Sequence, residues 1–270
     1  MNKYDALEMI GCYHDAKDGD AFSFRCMPDE KKYGKDMALF VGYELETSPS
    51  KDDCDRGEFA LEALDEIEGY MFMESDCSLD GHGEEGIEFI SNPCSLEYHL
   101  SMMPNLKRLF RAGLRNGFTS HNNGRCGLHM HIDREYFGGK QDVAIAKLIY
   151  IFREHWTEML KFSRRSRSHV SEWAGEYDDC YSAKYIATHQ YNFGRYYFLN
   201  LTNENTIEIR LWRGTFRPES FEATLRFTYR LAELARDTSI AEIAKMSWEE
   251  ILGDNEVIKA YWETVKDRTI

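Results

Sequence analysis

CGLHMHID (126–133) sets Leu128, Met130 and Ile132 against His129 and His131 on alternate beats. Side chains two apart on a β-strand share a face, so the segment reads as a strand with one apolar and one imidazole face. Three more stretches repeat the layout: VGYELET (41–47), GIEFISNP (86–93) and TIEIRLWRG (206–214). Glu44 and Glu46 oppose Val41, Tyr43 and Leu45; Glu88 opposes Ile87 and Phe89; Glu208 and Arg210 oppose Ile207, Ile209 and Leu211. Gathered in one sheet, the polar face carries four carboxylates, two imidazoles and a guanidinium. Carboxylates about 6 Å apart repel by about 3 kcal/mol per pair at an effective dielectric of about 20. Such a set stays ionised only beside cations. Oxygen-rich sites suit Mg2+ or Mn2+, and Mg2+ commonly shares its coordination with phosphate oxygens. An arginine two residues from a metal-binding glutamate can grip the same phosphate through paired hydrogen bonds. Metal and phosphate chemistry is the expectation.

The rest of the chain frames that site. Its 270 residues suffice for a large core, and 43% apolar with 14% aromatic content indicates a folded globule. An excess of 47 acidic over 33 basic residues, net −14, argues against non-specific nucleic-acid binding. Seven scattered cysteines without C-x-x-C spacing fit a reduced, cytoplasmic compartment better than a disulfide framework. No apolar run reaches membrane-spanning length, and the N-terminus lacks a signal-peptide pattern. Asn200-Leu201-Thr202 therefore reads as a chance glycosylation match.

Residues 1–36, with turn-rich KDGD (17–20) and PDEKKYG (28–34), predict a small flap or hairpin, and 37–270 a single catalytic domain with a helical C-terminus. Cys12, His14 and Cys26 supply three zinc-type ligands but no nearby fourth. Apolar spacing predicts helices over 55–73, over 96–115 with Pro104 bending or splitting it, and over 141–162. Further helices follow at 218–236, opened by Pro218, at 239–246 and at 248–266, where Ser247 and Glu250 form a capping box. Hairpin 195–214 precedes them. The fold class is α+β: a largely antiparallel sheet with helices packed on one face and an open acidic cleft on the other.

With these motifs in hand, the chain resembles a known family. NNGRCGLHMHID (122–133) resembles a glutamine synthetase pattern, and Glu44-Leu45-Glu46 and Glu208-Ile209-Arg210 are similar to patterns of both glutamine synthetases and glutamate–cysteine ligases. More specifically, DCSL (76–79), GIEFISNP, CGLHMH and the succession Arg195, Asn200, TIEIR (206–210), Gly214-Thr215 resemble the "putative amidoligase" family over about residues 37–230. These are compact carboxylate–amine ligases of the same superfamily, found in bacteria, phages and fungi. The resemblance implies a glutamine synthetase-like fold and ATP- and Mg2+-dependent amide formation through an acyl phosphate. By motif, Glu44, Glu46, Glu88, His129 and Glu208 would be metal ligands, with Glu208 also in a catalytic role. His131 would face the nucleotide phosphates, and Arg210, with Arg195, would stabilise the transferring phosphoryl group. The Asn-Gly-to-His spacing is one residue longer than in glutamine synthetase, because Arg125 and Cys126 precede Gly127, so no substrate role passes to Asn123. The chain is far shorter than that enzyme, so its glutamate specificity is not transferred either. Amino acids, peptides or protein side chains are open as carboxylate and amine, and so is the oligomeric state.

Plainer readings stand beside these. A lone E-x-E is usually a solvated strand face, and Glu208-x-Arg210 can be a simple ion pair. His-x-His can open a hydrolase metal site, giving a metal-dependent amide hydrolase as one alternative; a nucleotide-binding interaction protein without catalysis is another. GHGEEG (81–86) matches G-x-G-x-x-G as a string but precedes a strand and carries two glutamates, which excludes it as a dinucleotide site. Arg164-Arg165-Ser166-Arg167 follows a helix, where basic residues favour the C-terminal dipole; with Lys184 it is also a candidate anion clamp.

Overall fold

The computed structural model describes residues 1–13, 22–26, 38–121 and 124–270. His14, the turns read at 17–20 and 28–34, and Asn123 lie outside the described residues. The described chain divides into two compact units. The first holds Met1–Lys31, Gly42–His129 and Arg213–Phe221; the second holds Lys32–Val41, Met130–Trp212 and Glu222–Ile270.

In the first unit, α1 (Lys3–Leu7) precedes β1 (Val41–Pro49), α2 (Arg56–Ile67), β2 (Met71–Glu74), β3 (Ile87–Ser91), α3 (Leu96–Ser101), α4 (Met103–Arg115), β4 (Phe118–Thr119) and the start of β5 (Leu128–Asp133). Its strands run in the order β2-β3-β1-β5, with β4 paired to the end of β1. β3 lies antiparallel between its neighbours, with Leu45 opposite Phe89 and Met73 opposite Phe89 on the other side. Glu46 N–H donates to Gly127 O at 3.2 Å, which joins β5 to β1.

The apolar face of these strands is where the helices dock. Phe59 of α2 meets Phe89 and Phe118 at 5.4 and 5.0 Å between ring centroids, and Phe110 of α4 stacks on Phe216 at 5.4 Å. Each such fully buried ring contributes about 1.5–3 kcal/mol. Tyr43 turns inward too: its hydroxyl donates to the Tyr70 hydroxyl at 2.8 Å, which lies 2.8 Å from His99 Nδ1. Burial pushes the Tyr43 phenol well up, so it stays protonated and able to donate.

Helix α2 starts at Asp55, whose carboxylate caps the Glu58 N–H at 3.0 Å and takes Lys3 Nζ at 2.8 Å. The hydrogen bond from Lys3 holds that carboxyl below its usual range. The helix ends at Ile67, not at 73. Gly69 (φ 66°) reverses the chain, and Met71–Glu74 then pairs with β3. The buried stripe is Phe59, Ala60, Ala63 and Ile67, with Leu61 and Leu64 only half-buried. Residues 96–115 split before Pro104, which sits in the first turn of α4.

The second unit continues β5 and adds α5 (Gln141–Glu154), α6 (Trp156–Ser163), α7 (Arg167–Trp173), α8 (Ala183–Thr188), β6 (Leu199–Asn200), β7 (Thr206–Ile209), α9 (Pro218–Asp237), α10 (Ile240–Ile243), α11 (Trp248–Leu252) and α12 (Glu256–Val265). The first turn of α9 belongs to the first unit. Here the strand order is β5-β7-β6, antiparallel throughout, with Met130 opposite Ile209 and Leu199 opposite Ile209. Phe152 stacks on Phe198 at 5.0 Å, and Phe162 packs on Phe227 and Tyr261 at 4.6 and 4.9 Å. The helix expected over 141–162 breaks at His155, whose φ −115° and ψ 32° are not helical. The helix expected over 248–266 is two. Ser247 and Glu250 do form a capping box, but for the five-residue α11. Gly253 (φ 73°) stops that helix, and Asn255 caps α12. The α+β class with an open, antiparallel sheet holds. Among the described residues no helix is long and apolar enough to cross a membrane.

Candidate functional site

The alternation of β1, β3 and β5 puts the expected carboxylates and imidazole of the first unit on the face opposite Tyr43, Leu45 and Phe89. Register then does what alternation alone cannot. Glu46 sits directly across from Glu88, and Glu88 directly across from Glu74 on β2. Three carboxylates thus form a row over three strands, at 8%, 2% and 1% exposure. Facing like charges in a sheet oppose folding unless a counter-charge is recruited. His129 of β5 reaches the glutamates of β1: its Nδ1 lies 3.3 Å from Glu44 Oε2, and its Nε2 lies 3.7 Å from Glu46 Oε1. Glu46 also accepts the Gly127 N–H in a short hydrogen bond.

Glycines hold the row in shape elsewhere. A Cβ at Gly86 would overlap Leu79 and the Thr47 carbonyl, and one at Gly214 would overlap the carbonyl and hydroxyl oxygens of Ser120. Glu44, Glu46 and His129, all buried, are a carboxylate–imidazole donor set of the kind that holds Mg2+ or Mn2+. Glu88 and Glu74 add oxygen donors in the adjoining row. The sequence reading missed Glu74, because Met71 and Phe72 continue the helical spacing of α2. The hint available was Gly69, a helix stop followed by an alternating MFME.

In the second unit the polar face of β5, β7 and β6 carries His131 opposite Glu208, and Glu208 opposite Asn200. Glu208 is almost fully engaged. Arg210 Nη1 donates to its Oε1 in a short ion pair, while Asn200 Nδ2 and Asn203 Nδ2 donate to Oε2 at 2.6 and 3.2 Å. His131 Nδ1 lies 3.2 Å from Thr206 Oγ1. Arg210 Nε donates to the Trp173 carbonyl at 3.3 Å, which orients the guanidinium. The loop bearing Asn203 is anchored by buried Arg134, which donates to the carbonyls of Leu201, Asn203 and Thr206 at 2.9, 3.1 and 3.0 Å. Burial pulls the Arg134 guanidinium down from its ordinary value.

Arg195 is exposed, yet its guanidinium lies 5.5 Å from the centre of the Tyr196 ring, which Arg210 also approaches at 5.9 Å. One ring therefore brings the two predicted arginines together. The arginine run resolves otherwise. Arg164 caps the end of α6 in a left-handed conformation (φ 64°), and Arg165 is buried, donating to the carbonyls of Leu211 and Trp212 at 3.0 and 3.3 Å. Arg165 is a structural clamp on the exit of β7, which removes it from the candidate anion clamp.

The family model described as "putative amidoligase enzyme" matches residues 22–232, well over half of the chain.

The chain belongs to this family.

All eight predicted site residues of this amidoligase-family protein fall inside the matched segment. A solved structure of glutamine synthetase from Plasmodium falciparum is similar at 9% identity and a TM-score of 0.43, covering 75% of this chain and 52% of that one. The chain thus spans about half the length of that relative. No curated protein sequence matches it. Family membership supports a ligase-type enzyme.

Proposed function

We propose that this amidoligase-family protein is an ATP- and Mg2+-dependent carboxylate–amine ligase. The observation that carries the proposal is the buried set of Glu44, Glu46, Glu88 and His129, within a chain whose family is described as "putative amidoligase enzyme". Four acidic or imidazole donors on one face are costly without a cation. They also match the hard-ligand preference of Mg2+ or Mn2+.

In this reading Glu44, Glu46, Glu88 and His129 of the first unit hold a metal, and Glu208 is a metal-ligand candidate of the second unit. Bound divalent cations would neutralise phosphate charge during transfer. Arg210, fixed by Glu208 and the Trp173 carbonyl, offers a planar fork to the phosphoryl oxygens. His131 and Arg195 face the nucleotide phosphates. The γ-phosphoryl group passes to a carboxylate oxygen and ADP leaves. The amine nitrogen then attacks the acyl carbon, the C–O bond to phosphate breaks, and a proton is lost from nitrogen. The chain's own contribution is positioning and charge compensation. Free amino acids, peptides and protein side chains are the substrate classes to try.

The test is incubation with ATP, Mg2+ and pooled amino acids or peptides. ADP release that requires both a carboxylate and an amine, with an equal amount of new amide, is expected. No ADP release from any mixture would overturn the ligase reading, and amide cleavage without nucleotide would replace it with hydrolysis.

A further inference from the structure

Tyr196 is half exposed, at 50%, on a segment whose other aromatics are tied down. Tyr177 stacks on Tyr197 at 4.2 Å between ring centres, and the Gly175 N–H donates to the Tyr196 carbonyl at 2.8 Å. Trp173 meets the Tyr196 ring edge-on at 5.9 Å. That tryptophan also supplies the carbonyl that orients Arg210. Arg195 and Arg210 lie 5.5 and 5.9 Å from the ring centre, within cation–π range. A rigid aromatic surface is thus placed beside two guanidinium groups, one of which is paired with Glu208.

A ligand that uses all of this offers a flat π-face and a polyanionic tail a few bonds away. A bare anion would ignore the ring, and an apolar ring would ignore the arginines. A nucleoside polyphosphate has both. We propose that Tyr196 is the stacking platform for the base of the bound nucleotide, with Trp173 bracing the ring and Arg195 and Arg210 meeting the phosphates. The proposal rests on the ATP-dependent reading above and adds to it the residue that recognises the base. Stacking reads the π-face of a base and not its edge, so it tolerates different bases.

The experiment is calorimetric titration of the full chain, in Mg2+, with ATP and with inorganic tripolyphosphate, for wild type, Tyr196→Ala and Tyr196→Phe. Wild type should prefer ATP to tripolyphosphate. Loss of one stacked base corresponds to roughly tenfold or more in affinity, so Tyr196→Ala should weaken ATP by that factor. Tripolyphosphate should bind all three proteins alike, and Tyr196→Phe should keep the ATP affinity. An unchanged ATP affinity in Tyr196→Ala overturns the platform and leaves the ligase reading intact. A parallel loss of both ligands overturns it as well, since that marks general damage to the anion site. Wild-type protein that binds neither ligand brings down the platform and the ATP reading together.

Discussion

Glu208 carries more than one duty, and the balance can be measured. Its carboxylate takes donors from Arg210, Asn200 and Asn203 while 3% exposed. Neutralising one partner of a buried pair leaves the other charge uncompensated, at a cost of about 3–5 kcal/mol. Glu208→Gln should therefore lower unfolding stability in metal-free buffer by about that amount, and Glu208→Gln with Arg210→Gln should recover part of the loss. Chemical denaturation in EDTA checks this. A single variant as stable as wild type would mean the pair adds nothing structural. The sequence alone allowed a metal ligand or an ion pair at this position, and the structure shows the pair. Arg165 teaches the converse. Its place in a basic run marked it for anions, but its donors are directed at Leu211 and Trp212 carbonyls.

At the scale of elements, the strands depend on close approaches that only glycine permits. Gly214 lies against Ser120 and Gly127, with no room for a methyl group beside the Ser120 oxygens. Gly83 has φ +81° and open space around its Cβ position. Gly214→Ala is opposed by packing and Gly83→Ala by backbone conformation alone. Overpacking a filled site costs about 1–3 kcal/mol, and a left-handed non-glycine residue about 1–2 kcal/mol. Because the Gly214 overlap is with backbone as well as side-chain atoms, Gly214→Ala should lie at the top of its range and exceed Gly83→Ala. Urea midpoints of the two variants decide the order. Equal losses would show that Ser120 yields easily. The element-scale surprises share a cause. Met71–Glu74 extends the apolar spacing of α2, and its strand state is set by hydrogen bonding to β3, a partner more than ten residues away.

Over the whole molecule, the row of buried acids predicts a thermodynamic link to divalent cations. A ligand that binds only the folded state at about a hundred times its Kd adds about 2.7 kcal/mol. Mg2+ or Mn2+ should therefore raise the melting temperature relative to EDTA at matched ionic strength. That control matters because the chain carries a net charge of −14, which any salt screens. Glu46→Gln with Glu88→Gln should abolish the metal-dependent shift while raising metal-free stability, because two like charges leave the row. A shift retained in that variant would place the cation elsewhere. Local sequence was sufficient for the four strand stretches that carry the expected site residues, for their polar and apolar faces and for the helix signals at Pro104, Pro218 and Ser247, since strand alternation, proline geometry and capping act over a few residues. It also carried the family motifs and the eight expected site residues, seven of them buried or half-buried and Arg195 exposed. Only tertiary structure decided that Glu46, Glu88 and Glu74 stand in one row, that Asn200 and Asn203 hold Glu208, and that Tyr196 gathers two arginines. Cross-strand register and loop anchoring join residues far apart in the chain, and side-chain periodicity fixes which face a residue takes but not which neighbour it meets.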